Sequence, residues 1–138
     1  MSLSLEQKIA IHELLGRAAF GYDERDLDML ADCFTQAAGF SMRIAGGDLI
    51  GPFEGRDAIM GLMTSSMEEQ SDVRRHVVSN IFFRDTQDSP TVVSNLTLLA
   101  TENGVTQLLS AGVYYDTVEC EDGNWRISNR YLELDKAY

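Results

Sequence analysis

The sequence predicts an α+β fold in which helices come first and an antiparallel meander follows, the two together enclosing a cone-shaped pocket. Two observations carry this. Up to about Gln70 the apolar residues recur at helical spacing, whereas beyond residue 72 come four runs rich in β-branched and aromatic residues, separated by turn residues. A third observation concerns continuity: Pro52 and Pro90 are the only prolines, and no Ser/Gly linker, charge block or repeat divides the chain, so residues 1–138 are expected to form a single domain. At 44% apolar and 24% charged, a chain of this length buries a core unaided.

The first helix is expected from Ser4 to about Asp23. Ile11, Leu14, Leu15, Ala18 and Tyr22 share a face, Ser4 is the N-cap, and Gln7 completes a capping box. A shorter helix follows over Asp26–Phe34, with Leu27, Leu30, Ala31 and Phe34 on one side. Alternation between Phe40 and Ile50 around Gly46 and Gly47 reads as a hairpin, after which GPFEGRDAIMGLM turns into a third helix ending near Gln70. The four later runs, VRRHVVSNIFFRD, TVVSNLTLLATEN, VTQLLSAGVYYDTVEC and NWRISNRYLELD, read as strands, joined at Asp88–Pro90, Asn103–Gly104 and Asp122–Gly123. Helices laid across one face of such a sheet leave a concave mouth where a small molecule would sit.

Charge narrows the partners. Eleven basic against 22 acidic side chains give a formal net charge of −11, which repels phosphate backbones and anionic lipid, so neither nucleic acid nor membrane is an expected partner. No apolar run reaches the ~18 residues of a membrane span, and the N-terminus lacks the basic and apolar regions of a signal peptide, so the expected location is cytoplasmic. Cys33 and Cys120 lie far apart without a CxxC or a histidine pair, the usage of reduced thiols rather than of a metal site. No metal and no cofactor is expected.

Three positions stand out chemically. Aspartate is favoured as a helix N-cap, and Asp26 fits that role for the second helix, but Asp23 comes too early for it and is better placed, with Tyr22, to look inward. His76 sits mid-strand, with Arg74, Val78, Asn80 and Phe82 on its face by alternation. A mid-strand histidine is more often a hydrogen-bonded core residue than a catalyst. An imidazole, an amide and a guanidinium on one sheet face, however, are costly to bury unless they are paired or line a wet cavity. Arg130, in the last strand, is either a solvated edge arginine or a fixed cation for a substrate oxygen or leaving group. His12 reads as structural, and the methionines at 29, 60, 63 and 67 as core filler.

A helix ending in YDxxD, the EGRDAI turn, RHxxSN on the following strand and DGxWRI near the end together resemble the SnoaL-like branch of the nuclear transport factor two-like superfamily. The resemblance covers nearly the whole chain and implies three helices on the concave side of a strongly curved mixed sheet, a pocket between them, and commonly a homodimer. Scytalone dehydratase-like and hexachlorocyclohexane dehydrochlorinase-like members use an aspartate at the end of the first helix to orient a strand histidine, the general base of a cofactor-free elimination. Asp23 and His76 match that dyad, Tyr22 matches the carbonyl-polarising tyrosine of the dehydratases, and Arg130 an arginine of the dehydrochlorinase pocket. The second dehydratase histidine falls near Leu109 or Ala111, and the dehydrochlorinase lysine position is Ala18, so the specific substrates of both are not expected.

The implied activity is a cofactor-independent lyase or isomerase acting on a small, mostly apolar molecule, aromatic or polyketide-like. His76 removes a proton beside a carbonyl, Asp23 fixes its tautomer, and Tyr22 with Asn80 or Arg130 holds the developing oxyanion. RRHVVSNI and NWRISNRYLELD resemble the non-catalytic β subunit of ring-hydroxylating dioxygenases at least as closely as they resemble these enzymes. That alternative implies an assembly or ligand-binding module, trimeric rather than dimeric.

Overall fold

The computed structural model describes residues 2–138. Helix α1 spans Leu5–Asp23 and begins as its sequence dictates: the Ser4 hydroxyl accepts from the Gln7 N–H at 3.1 Å, and the Gln7 side chain accepts from the Ser4 N–H at 2.8 Å. It ends where Arg25 turns into the left-handed region at φ 56° and Asp26 donates its N–H back to the Gly21 carbonyl. Asp26 then caps α2, Leu27–Asp32, accepting the Met29 N–H at 3.1 Å. Gly21 lets the two helices meet, because a Cβ there would lie 3.0–3.2 Å from the Leu30 backbone. Helix α2 stops short of the expected Phe34, which instead opens strand β1, Phe34–Ile44. An 11-residue strand buries Phe34, Ala38 and Phe40 against the core, a gain that outweighs one more helical turn.

Strand β2 (Ile50–Glu54) takes in the GPFE segment, and α3 covers Arg56–Glu68. The remaining strands are β3 Val73–Asp85, β4 Thr91–Glu102, β5 Val105–Glu121 and β6 Asn124–Leu134, the meander read from the sequence. All six form one sheet in the order β2-β1-β6-β5-β4-β3, antiparallel throughout except for β1 beside β6. That parallel pair makes the sheet mixed and joins the helical part of the chain to the far end of the meander. Ile11, Leu15, Ile59, Val92, Val118 and Ile127, each at most 1% exposed, fill the space between helices and sheet. No helix among the described residues is long and apolar enough to cross a membrane.

Candidate active site

A cavity of about 130 Å³ opens between the helices and the concave face of the sheet. Its walls are apolar, drawn from Leu15 and Ala18 of α1, Phe34 of β1, Met63 of α3 and Leu132 of β6, and the polar groups at its edge are Tyr22, Ser66, His76, Tyr114, Arg130 and Tyr138. Its volume is close to the ~150 Å³ of an engineered apolar cavity that binds benzene, so it is on the scale of one aromatic ring.

Asp23, the last residue of α1, meets His76 on β3 because α1 lies across that strand. One carboxylate oxygen, Oδ2, accepts the backbone N–H of His76 at 2.8 Å, and the other, Oδ1, lies 2.5 Å from Nδ1 of the same residue. Both side chains are largely buried, 6% and 14% exposed. A carboxylate only accepts, so Nδ1 carries a proton toward it, and in the neutral imidazole the lone pair falls to Nε2, which has no hydrogen-bond partner among the described residues. The Tyr22 ring meets the imidazole edge-on, with centroids 4.9 Å apart. Its hydroxyl accepts from the Gln70 side chain at 2.8 Å, which leaves the phenolic proton free to donate. Burial raises the Tyr22 pKa, with the Gln70 bond opposing, so the phenol stays protonated through the neutral range.

Arg130 is neither a solvated edge arginine nor a bare cation. Its Nε and Nη2 fork onto Asp116 at 2.7 and 3.0 Å, and Asp116 is 0% exposed. The guanidinium lies over the Tyr114 ring at 3.9 Å, and Nη1 is left without a partner among the described residues. Burial on its own would lower the Arg130 pKa, but Asp116 outweighs it and the net shift is upward. The Tyr114 phenol is pushed up to about 12 by burial, against the pull of Arg130.

Asn80 does not join this constellation. One extra residue enters β3 between Ser79, opposite Asn95, and Phe82, opposite Val93, and Asn80 absorbs the kink at φ 54° with its side chain exposed. Past this bulge the parity reverses: Ile81 and Phe83 pack on the core and Phe82 turns outward at 56% exposed. Strict alternation therefore placed Asn80 and Phe82 on the wrong face. Arg74 stays with His76, its side chain 11% exposed, bonded to Asp72 at 2.8 Å and lying over the Tyr138 ring at 5.0 Å. Sequence reasoning missed Asp116, Tyr114 and Gln70. The available signal for Asp116 was an acid in mid-strand on the same face as Tyr114 and Val118, a position that demands a cation opposite. No group of three or more His, Cys, Asp or Glu side chains among the described residues is arranged to hold a metal ion.

Solved structures share this architecture at low sequence identity. A cystatin-like protein of unknown function from Nostoc punctiforme is 21% identical, with a TM-score of 0.81 over 98% of this chain and 96% of its own. A protein from Catenulispora acidiphila, in complex with S-DNPA, is 21% identical with a TM-score of 0.82 over 96% of each chain. The β subunit of a putative aromatic-ring-hydroxylating dioxygenase from Novosphingobium aromaticivorans is 14% identical with a TM-score of 0.79, covering 94% of this chain and 89% of that one. No curated protein matches by sequence. These neighbours fix the fold as cystatin-like, or nuclear transport factor two-like. The model of the SnoaL-like domain family matches residues 3–131, nearly the whole of the described chain, and the protein belongs to that family.

Proposed function

We propose that this protein is a cofactor-independent lyase or isomerase that removes a proton beside a carbonyl of a small, mostly apolar molecule of about one ring. The observation that carries the reading is the double grip of Asp23 on His76, on the backbone N–H and on Nδ1, which holds the imidazole at the cavity wall with Nε2 as the free base. In the proposed mechanism Nε2 takes the proton, the imidazolium so formed is stabilised by the Asp23 carboxylate, and negative charge builds on the carbonyl oxygen. Tyr22 donates its phenolic proton in a hydrogen bond to that oxygen, and Arg130 Nη1 is a second donor to it. The Catenulispora acidiphila neighbour, which is in complex with S-DNPA, supports a fold that takes a ligand. The free thiols and the absence of a membrane-spanning helix among the described residues fit the cytoplasmic setting included in this proposal.

The test is turnover of small ketones and hydroxy-aromatics, following exchange of the proton beside the carbonyl with deuterium by NMR. A positioned base contributes roughly 10²- to 10⁴-fold, so His76→Ala should bring exchange to background without loss of fold. Full activity in His76→Ala refutes the assignment.

A second reading, a non-catalytic assembly module, is favoured by likeness to the dioxygenase β subunit and by the outer sheet face, where Val77, Phe82 and Leu108 are 43%, 56% and 64% exposed. The oligomer separates the two readings. A homodimer by light scattering fits the enzyme, whereas a trimer, or one that co-purifies with a Rieske protein, fits the module.

A further inference from the structure

Every cation at the cavity is answered by a carboxylate. Of the residues lining it, His76 and Arg130 alone are basic, and none is acidic. Behind His76 stands Asp23, and behind Arg130 stands Asp116, sealed at 0% exposed and engaging two of the three guanidinium nitrogens. Arg74, toward Tyr138, is tied to Asp72. With the imidazole neutral, as a base must be, the sum over Asp23, His76, Asp116 and Arg130 is one net negative charge. An anionic ligand would have to shed its water to enter and would meet no uncompensated positive charge inside. A neutral carbonyl sheds less and needs only a hydrogen-bond donor, which Arg130 Nη1 and the Tyr22 hydroxyl both leave available.

We propose that Asp116 is a specificity-determining residue: by neutralising Arg130 it makes the cavity select neutral carbonyl compounds and reject carboxylates of the same shape. The inference rests on the cavity being the ligand site of the function proposed above, but it concerns binding and not turnover. Asp116 touches no ligand. It sets the charge that Arg130 presents, while the Arg130 fork stays aligned along Tyr114.

Acetophenone and benzoate make the test, since they differ chiefly by a methyl group in place of a charged oxygen. Titration of the full chain by ligand-observed NMR should show acetophenone bound more tightly by about tenfold or more, the scale of one buried charge left unpaired. Asp116→Asn, which keeps the shape and frees the Arg130 charge, should strengthen benzoate about tenfold while acetophenone changes little. Benzoate bound as well as acetophenone by the wild type overturns the inference and leaves the cavity as a ligand site. Equal benzoate affinity in wild type and a folded Asp116→Asn overturns the role of Asp116. Should thermal melts show Asp116→Asn unfolded, Asp116→Ser takes its place, and the wild-type ratio decides charge selection in either case. Binding of neither probe overturns the ligand site itself, and with it the inference. Proton exchange lost or kept in His76→Ala bears on the catalytic reading alone.

Discussion

Replacing Asp23 by asparagine should move a proton by one ring width. In the native arrangement both oxygens accept, one from the His76 backbone N–H at 2.8 Å and the other from Nδ1 at 2.5 Å. An asparagine has one oxygen and one NH₂ to divide between them. The backbone N–H can only donate, whereas the imidazole can exchange its tautomer, so the amide oxygen turns to the backbone and the NH₂ faces Nδ1. Nδ1 must then accept, and the proton moves to Nε2, where it occupies the lone pair that the proposed base needs. Turnover should fall roughly 10²- to 10⁴-fold, as if the base were deleted, although the histidine is still present. Two charge-assisted bonds become neutral ones, a loss of about 2 kcal/mol, and the melting temperature drops by roughly 4–8 °C. Nitrogen-15 spectra of the imidazole rings read the tautomer without any substrate, and with only His12 and His76 in the chain a single His12→Gln variant assigns them. The bare nitrogen should be Nε2 in the native protein and Nδ1 in Asp23→Asn. A variant that keeps its proton on Nδ1, or a native protein that carries it on Nε2, refutes the reasoning.

Activity should hold on the alkaline side to beyond the ordinary tyrosine value of about 10, because burial raises the Tyr22 pKa and a raised pKa in an acid keeps the donor protonated longer. Tyr22→Phe should lower turnover at every pH, and a rate–pH profile of native enzyme falling well below that value counts against Tyr22 as the donor. The Cys33 thiol is pushed up to about 11, chiefly by burial, so a chromogenic disulfide at pH 8 should titrate one thiol per folded chain, the exposed Cys120, and a second only in denaturant. Two rapid equivalents would show that α2 opens. Gly61→Ala on α3, where a Cβ meets nothing within 4 Å, should stabilise the fold by about 0.5–1 kcal/mol. Gly112→Ala on β5, whose Cβ would run into the Glu133 carbonyl, should cost about 1–3 kcal/mol in denaturant melts.

Local chemistry was the most readable part of the chain. The Ser4–Gln7 box, the Asp26 cap and the meander followed from residue types alone, because each depends on neighbours within a few positions. That Asp23 and Tyr22 look inward was suggested by an acid too early to be a cap, whereas their meeting with His76 was implied only by the family resemblance, because it depends on how α1 crosses β3. What stayed hidden was set by single-residue slips. A two-residue turn at Asp122–Gly123 pairs Cys120 with Trp125 and Val118 with Ile127, and continuing that count puts Asp116 opposite Asn129. The register shifts between Thr117 and Val118, and Asp116 faces Arg130 instead. The slip at Asn80 likewise moved it off the face that alternation gave it. Phe34 misled for another reason: its apolar side chain suits a helix face and a strand equally, and tertiary pairing with Ile127 decided between them.

The bulge at Asn80 also divides one strand into two independent texts. Before it, His76 and Val78 address the cavity, and after it Ile81 and Phe83 hold the strand to the core, with the Phe83 ring 5.9 Å from that of His12 on α1. Because the two halves meet different surroundings, the cavity-facing half can be rewritten without disturbing the letters that anchor the other half, and the reverse holds as well. Excision of Asn80 would remove the extra residue and leave Ile81 and Phe83 on the core face, in continuous alternation with His76 and Val78. A lineage carrying this fold can thus vary the cavity wall by point substitution in residues 74–78 while Ile81 and Phe83 go on anchoring the strand, with or without the bulge between them.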